Sequence, residues 1–107
     1  MAGADLTGAN LRDADFSGAN LINITLDKAK ASGSSMRKAN LSRASMAWLD
    51  LTNADLGGAT LVGADLTGTN LKGANLSGAN LSYANLKNVK TDKFTICPNG
   101  KTGSCKF

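Results

Sequence analysis

The chain has 107 residues, 42% hydrophobic and 19% charged, a balance that excludes a disordered tail and suits one small domain. No apolar run approaches the roughly 20 residues that a membrane-crossing helix needs. The formal net charge of +4 is unevenly placed: Met1–Leu86 carries seven Lys or Arg against seven Asp, whereas Lys87, Lys90, Lys93, Lys101 and Lys106 face Asp92 alone, so a neutral body ends in a basic tail.

The opening residues, Met1-Ala2-Gly3-Ala4-Asp5, carry neither a positive segment nor an apolar one, so no export signal is expected in this stretch. A repeat of five begins at once. Its large apolar residue, the centre of each unit, falls at Leu6, Leu11, Phe16, Leu21, Leu26, Ala31, Met36, Leu41, Met46, Leu51, Leu56, Leu61, Leu66, Leu71, Leu76, Leu81 and Leu86. Seventeen units keep register, and only Ala31 is small at the centre. Two residues earlier stands Ala, except for Ile24, Ser34, Leu49 and Thr69. Between them stands mostly Asp or Asn, as at Asp5, Asn10, Asp15 and Asn20, and the second residue after the centre is Gly in eight units.

A helix does not account for this period. Five residues turn an α-helix by about 500°, which winds the apolar stripe around its surface, and so much Gly would cost up to ~1 kcal/mol per helical position. Short extended segments do account for it. Positions two apart share a face, so Ala and Leu point inward while Asp or Asn points out. The last two residues turn a corner, where Gly or Asn accepts φ > 0. Four such sides close a square coil of twenty residues. Coils stacked ~4.8 Å apart predict just over four coils and a rod of roughly 20 Å. Residues twenty apart then stack, for example Leu6, Leu26, Met46, Leu66 and Leu86. The small Ala31 is expected to be offset in volume by Ile24 and Leu49, because interiors fill to crystal-like density.

Units such as Ala4-Asp5-Leu6-Thr7-Gly8 and Ala74-Asn75-Leu76-Ser77-Gly78 resemble the A(D/N)LXX signature of pentapeptide-repeat proteins, which are abundant in cyanobacteria. The resemblance covers residues 4–88. It implies an all-β fold, a right-handed quadrilateral β-helix (solenoid); the handedness follows from the resemblance and not from the spacing.

The second and third coils depart most from the pattern. Lys28, Lys30, Arg37, Lys38 and Arg43 place five cations in sixteen residues, and Trp48 follows. Lys28 and Trp48 share a column, which predicts a cation–π contact worth ~0.5–1 kcal/mol. Arg43 and Tyr83 share another, with Gly63 between them as a notch. Lys28, Arg37, Lys38, Arg43 and Trp48 form the candidate interaction patch, with ordinary solvated surface as the competing reading.

The pattern decays after Asn88, which divides the chain into a repeat body, 1–88, and a short C-terminal cap, 89–107. Stacked coils leave unpaired backbone at each end. Phe94 and Ile96 are assigned to the inward slots of a last imperfect unit, covering the final coil together with Phe107. Cys97 and Cys105 enclose seven residues that include the turn signal Pro98-Asn99-Gly100. A disulfide there would contribute roughly 2.5 kcal/mol by loop closure and favour an oxidising compartment such as a periplasm or thylakoid lumen; without it the cytoplasm is expected. Two free thiols remain the alternative. A metal site is disfavoured, because two Cys and no His fall short of four ligands.

With no His, no Glu and no nucleophile or phosphate-binding motif, no catalytic residues and no cofactor are expected. The outward Asp residues are expected to bond nearby backbone. A scaffold or protein-interaction role with an unidentified protein partner is the primary reading, as a monomer or as an end-to-end dimer through the uncapped N-terminal coil. Some pentapeptide-repeat proteins mimic duplex DNA and bind gyrase, but that asks for a long acidic rod, and this one is short and neutral with a basic cap. Direct nucleic-acid binding is the opposite alternative, disfavoured by the few phosphate contacts on offer. Ice binding is set aside because Thr7, Thr52 and Thr67 form no continuous ladder.

Overall fold

A computed structural model describes residues 1–107. Its backbone is a parallel ladder of single-residue rungs. Asp5, Thr25, Ser45, Asp65 and Asn85 pair in succession, as do Asn10, Lys30, Asp50, Asn70 and Lys90, and every pairing through Lys90 joins residues twenty apart. One circuit therefore takes four pentapeptides. The molecule measures 32 × 24 × 24 Å along its principal axes.

The repeat solves a backbone accounting problem, since buried or half-buried N–H groups must find acceptors. In the unit centred on Leu56, the Leu56 and Gly58 amides donate to Asn75 and Ser77 in the next row, at 2.7 and 2.8 Å. Asp55 donates back to Ser34 at 2.9 Å, and Ala54 donates to Leu51 across the corner at 3.0 Å. The fifth amide, Gly57, has no backbone partner. The Asp55 carboxylate takes it at 3.0 Å. The same side-chain bond closes Thr7 on Asp5, Ser42 on Asn40, Thr67 on Asp65 and Ser77 on Asn75. Asp and Asn recur outside the tube because each supplies the acceptor that the ladder lacks.

Ala and Leu fill the interior. Leu41, Met46, Leu51, Leu56, Leu61, Leu66, Leu71 and Leu76 are 0% exposed, with Leu21 and Leu26 at 1%. Each such side chain contributes roughly 1.5–3 kcal/mol of transfer free energy. Ala31, Ile24 and Leu49 are all buried in this one cluster. Five of the expected core residues are only half-buried: Leu6, Leu11 and Phe16 in the first row, and Leu81 and Leu86 in the last. Each has a neighbouring row on one side only.

Buried polar positions occur in the inward slot otherwise held by Ala. The Thr69 hydroxyl donates to the Met46 carbonyl at 2.6 Å, and the Thr95 hydroxyl to the Leu71 carbonyl at 2.9 Å. Ser34, 1% exposed, finds no partner for its Oγ.

The cap differs from the sequence expectation by one residue of register. Asn75 pairs with Ile96, twenty-one positions on, and the Leu76 amide donates to the Ile96 carbonyl at 2.8 Å. One extra residue enters between Thr91 and Thr95. A one-residue slip exchanges inward and outward faces. Thr95 and Cys97 therefore take the inward slots, at 0% and 8% exposure, while Phe94 points out at 66% and Ile96 sits on the outer rung. Phe107 is 51% exposed and does not cover the last coil either. Asp92 stabilises the enlarged corner by accepting from the amides of Gly73 and Phe94, both at 3.0 Å. The tail turns at Gly100, pairs Thr102 antiparallel to Ile96, and is fixed by the Cys97–Cys105 disulfide, with Cα atoms 5.6 Å apart. No helix is long and apolar enough to cross a membrane.

Candidate interaction surface

Eighteen corners from Gly3 to Asn88 take φ between +56 and +72°, nine at glycine and nine at other residues. Asn and Asp tolerate this region, so Asp13, Asn23, Asn53 and Asn88 need no further explanation. Lys28, Lys38, Arg43, Trp48 and Tyr83 do. A left-handed backbone costs such residues roughly 1–2 kcal/mol each. Four of the five lie within Lys28–Trp48.

The register separates the expected patch into parts. Twenty residues make one circuit, so corners five apart are adjacent and corners ten apart are opposite. Arg43 and Trp48 occupy adjacent corners at the two edges of one face, Ala44–Ala47. Lys28 sits one row above Trp48. Lys38 lies on the corner opposite Trp48's column, and Arg37 stands on the face leading to it. Arg37 is also engaged, with its Nη1 3.2 Å from both carboxylate oxygens of Asp55. Lys28, Arg37, Lys38, Arg43 and Trp48 thus spread over three of the four corner columns and do not converge. Only Arg43, Trp48 and the adjoining Lys28 share one side.

The side chains lean in one direction. A Cβ added to Gly68 would collide with the Trp48 ring, one added to Gly63 would lie 3.4 Å from Arg43 Cγ, and one added to Gly58 would lie 3.4 Å from Lys38 Cγ. Trp48, Arg43 and Lys38 therefore each rest on a glycine in the following row. This overturns the Lys28–Trp48 contact: Trp48 leans away from Lys28, and the cation–π contact that forms is Lys93 over Phe94, 5.2 Å from the centroid. The notch at Gly63 is likewise roofed by Arg43. Trp48 keeps 55% of its surface exposed while burying Gly68, and Tyr83 is 94% exposed.

The carboxylates are structural in their chemistry. The Thr7 hydroxyl and amide hold Asp5 below the usual range. The Ser17 amide and hydroxyl lower Asp15, and the Thr52 hydroxyl does the same for Asp50 against the opposing effect of burial. Asp27 reaches across rows to accept from Ser45 Oγ at 2.7 Å and the Ala47 amide at 2.9 Å, where Ser45 replaces the usual Asp or Asn. No group of three or more Cys, Asp, Glu or His is placed to hold a metal ion. A cavity of about 500 Å3 lies in the cap, lined by Pro98, Lys101, Ser104, Lys106 and Phe107 beside the disulfide.

A twenty-residue ladder, an Ala/Leu interior and side-chain-closed corners define a β-solenoid built from tandem pentapeptides. The chain belongs to the pentapeptide-repeat family: the family model described as pentapeptide repeats (8 copies) matches residues 1–27, 19–58 and 59–90. Among solved structures, it is similar to a pentapeptide repeat protein from the Arabidopsis thaliana thylakoid lumen, with 28% identity, TM-score 0.70, and coverage of 86% of this chain and 63% of that one. It is also similar to HetL, a pentapeptide repeat protein involved in heterocyst differentiation regulation from the cyanobacterium Nostoc sp. strain PCC 7120, with 28% identity, TM-score 0.55, and coverage of 95% and 65%. A third, from the cyanobacterium Cyanothece 51142, has 29% identity, TM-score 0.52, and coverage of 90% and 89%. The chain thus spans just under two thirds of the first two. No curated protein sequence matches it.

Proposed function

We propose that the protein is a non-catalytic interaction scaffold: a right-handed quadrilateral β-helix of about four coils, residues 1–88, closed by a disulfide-bonded cap, 89–107, that offers Trp48 and Arg43 to a protein partner. The observation that carries this reading is Trp48. It is a large aromatic residue, 55% exposed, held at φ 58° on a corner where glycine would fit without strain. Strained backbone at an exposed aromatic is a mark of functional surface, and Trp and Arg are the side chains that most often anchor protein interfaces. The involvement of HetL in heterocyst differentiation regulation is consistent with a role exercised by binding. The engagement of Asp5, Asp15, Asp50, Asp55 and Asp65 by their own turns supports a surface without acid–base chemistry. The disulfide, together with the thylakoid-lumen relative, favours an oxidising compartment. A gyrase-directed duplex mimic fits less well, because the body balances seven Lys or Arg against seven Asp and the cap is basic.

Affinity capture from an extract of the source organism tests the reading. A partner protein retained by the wild type and by Lys38→Gly, on the corner opposite Trp48, is expected to be lost with Trp48→Gly and Arg43→Gly. Identical captured proteins from the wild type and all three folded variants would overturn it.

A further inference from the structure

The C-terminal end of the rod carries a second surface that the Trp48 edge does not use. The tail covers only the quarters under Leu71 and Leu76, through Thr95 and Cys97. On the other side Leu81, Ala84, Leu86 and Val89 remain half-buried. The amides of Leu81, Tyr83, Leu86 and Asn88 have no bonded partner there. Around this apolar end stand Tyr83, Phe94 and Phe107, exposed at 94%, 66% and 51%. The same terminal segment carries Lys87, Lys90, Lys93, Lys101 and Lys106, all exposed. None of these lysines is in an ion pair, because the molecule's one ion pair is Arg37–Asp55. The single acid of the region, Asp92, spends its carboxylate on the amides of Gly73, Phe94 and Thr95.

We infer that this end docks on the surface of an anionic lipid bilayer, with Tyr83 and Phe94 in the headgroup layer and the lysines on lipid phosphates. Exposed aromatics rimmed by lysine match that boundary, where rings enter and ammonium groups reach the headgroups. The Lys93 ammonium over the Phe94 ring already has this arrangement. Lipid suits the chemistry better than nucleic acid: all five cations are Lys and none is Arg, so they act as point charges on a diffuse anionic surface and offer no guanidinium fork to a phosphate or base edge. A second copy docking by the same end would bring five lysines against five.

Vesicle flotation of the full chain tests the inference, using phosphatidylcholine alone or with about 30% phosphatidylglycerol, at about 0.05 M and about 0.5 M salt. Binding is expected to the anionic vesicles only and to weaken at high salt. Lys87→Gln, Lys90→Gln and Lys93→Gln combined should lower partitioning by about a hundredfold, at about fivefold per lysine. Phe94→Ser should lower it at both salt concentrations. These side chains are exposed, so unchanged melting of each variant confirms that the fold is retained. Equal recovery with neutral and anionic vesicles, unchanged binding by the folded lysine variant, or retention of a DNA duplex in place of vesicles would overturn the inference.

Discussion

Ser34 shows how narrow the tolerance of the tube is. Its slot is an Ala slot, and the two other hydroxyls placed in such slots, Thr69 and Thr95, each donate to a carbonyl of the preceding row. The Ser34 hydroxyl is buried without a partner. A buried unsatisfied polar group costs about 1–3 kcal/mol. Ser34→Ala is therefore expected to stabilise the protein by about 1 kcal/mol and raise Tm by roughly 4 °C in a thermal melt. Ala31→Leu, by contrast, adds methylenes between Ile24 and Leu49 and should destabilise by about 1–3 kcal/mol in the same melt. The Ala and Leu columns were legible in the sequence because a fixed period leaves each residue one environment. The lean of the corner side chains was not. Spacing places Trp48 equally far from Lys28 and Gly68, and only the backbone direction at a positive-φ corner decides between them.

At the scale of the turn, the Asp or Asn side chain is the acceptor for the one amide that the ladder omits. This couples stability to pH. Asp5, Asp15 and Asp50 are all held below the ordinary carboxylate value of 3.8. A depressed folded-state value means that the contribution is full above 3.8 and is lost as pH falls through the depressed value. Melting temperature should be level from neutrality to about pH 5 and fall below about pH 4, and Asp50→Asn should soften that fall. The cap is the element that the sequence concealed. Its Thr91–Thr95 corner holds one residue more than the repeat, and nothing in the order Thr-Asp-Lys-Phe-Thr marks which of them is extra. Placing Phe94 and Ile96 inward followed the period, whereas Asp92, bonded to Gly73 and Phe94, allows the longer corner that turns Phe94 outward. Removal of the disulfide by Cys97→Ser with Cys105→Ser should cost up to about 2.5 kcal/mol. In hydrogen exchange the loss should show first at the amides of Cys97, Gly100 and Gly103, before the body is affected.

Over the whole molecule, regularity and departure divide the work. The repeated positions make a tube whose core rows are sealed and whose sides are flat; the side bearing Asn40, Ser42, Thr60 and Val62 is free of charge altogether. The departures place Trp48 and Arg43 on one face and a lysine-rich aromatic rim at the C-terminal end. The sequence showed that the cations cluster in Lys28–Arg43, but a cluster along the chain is wound around a square rod, so Lys38 emerges opposite Trp48. Corners five residues apart face different sides of such a coil, so neighbours along the chain separate on the surface. Residue-resolved amide hydrogen exchange tests the ladder most directly. Across Leu21–Leu76 the account predicts protection repeating every five residues, with the weakest amide at the position held only by an Asp or Asn side chain, such as Ser42, Gly57 and Thr67. Protection in continuous blocks, or strongest at those same amides, would contradict it.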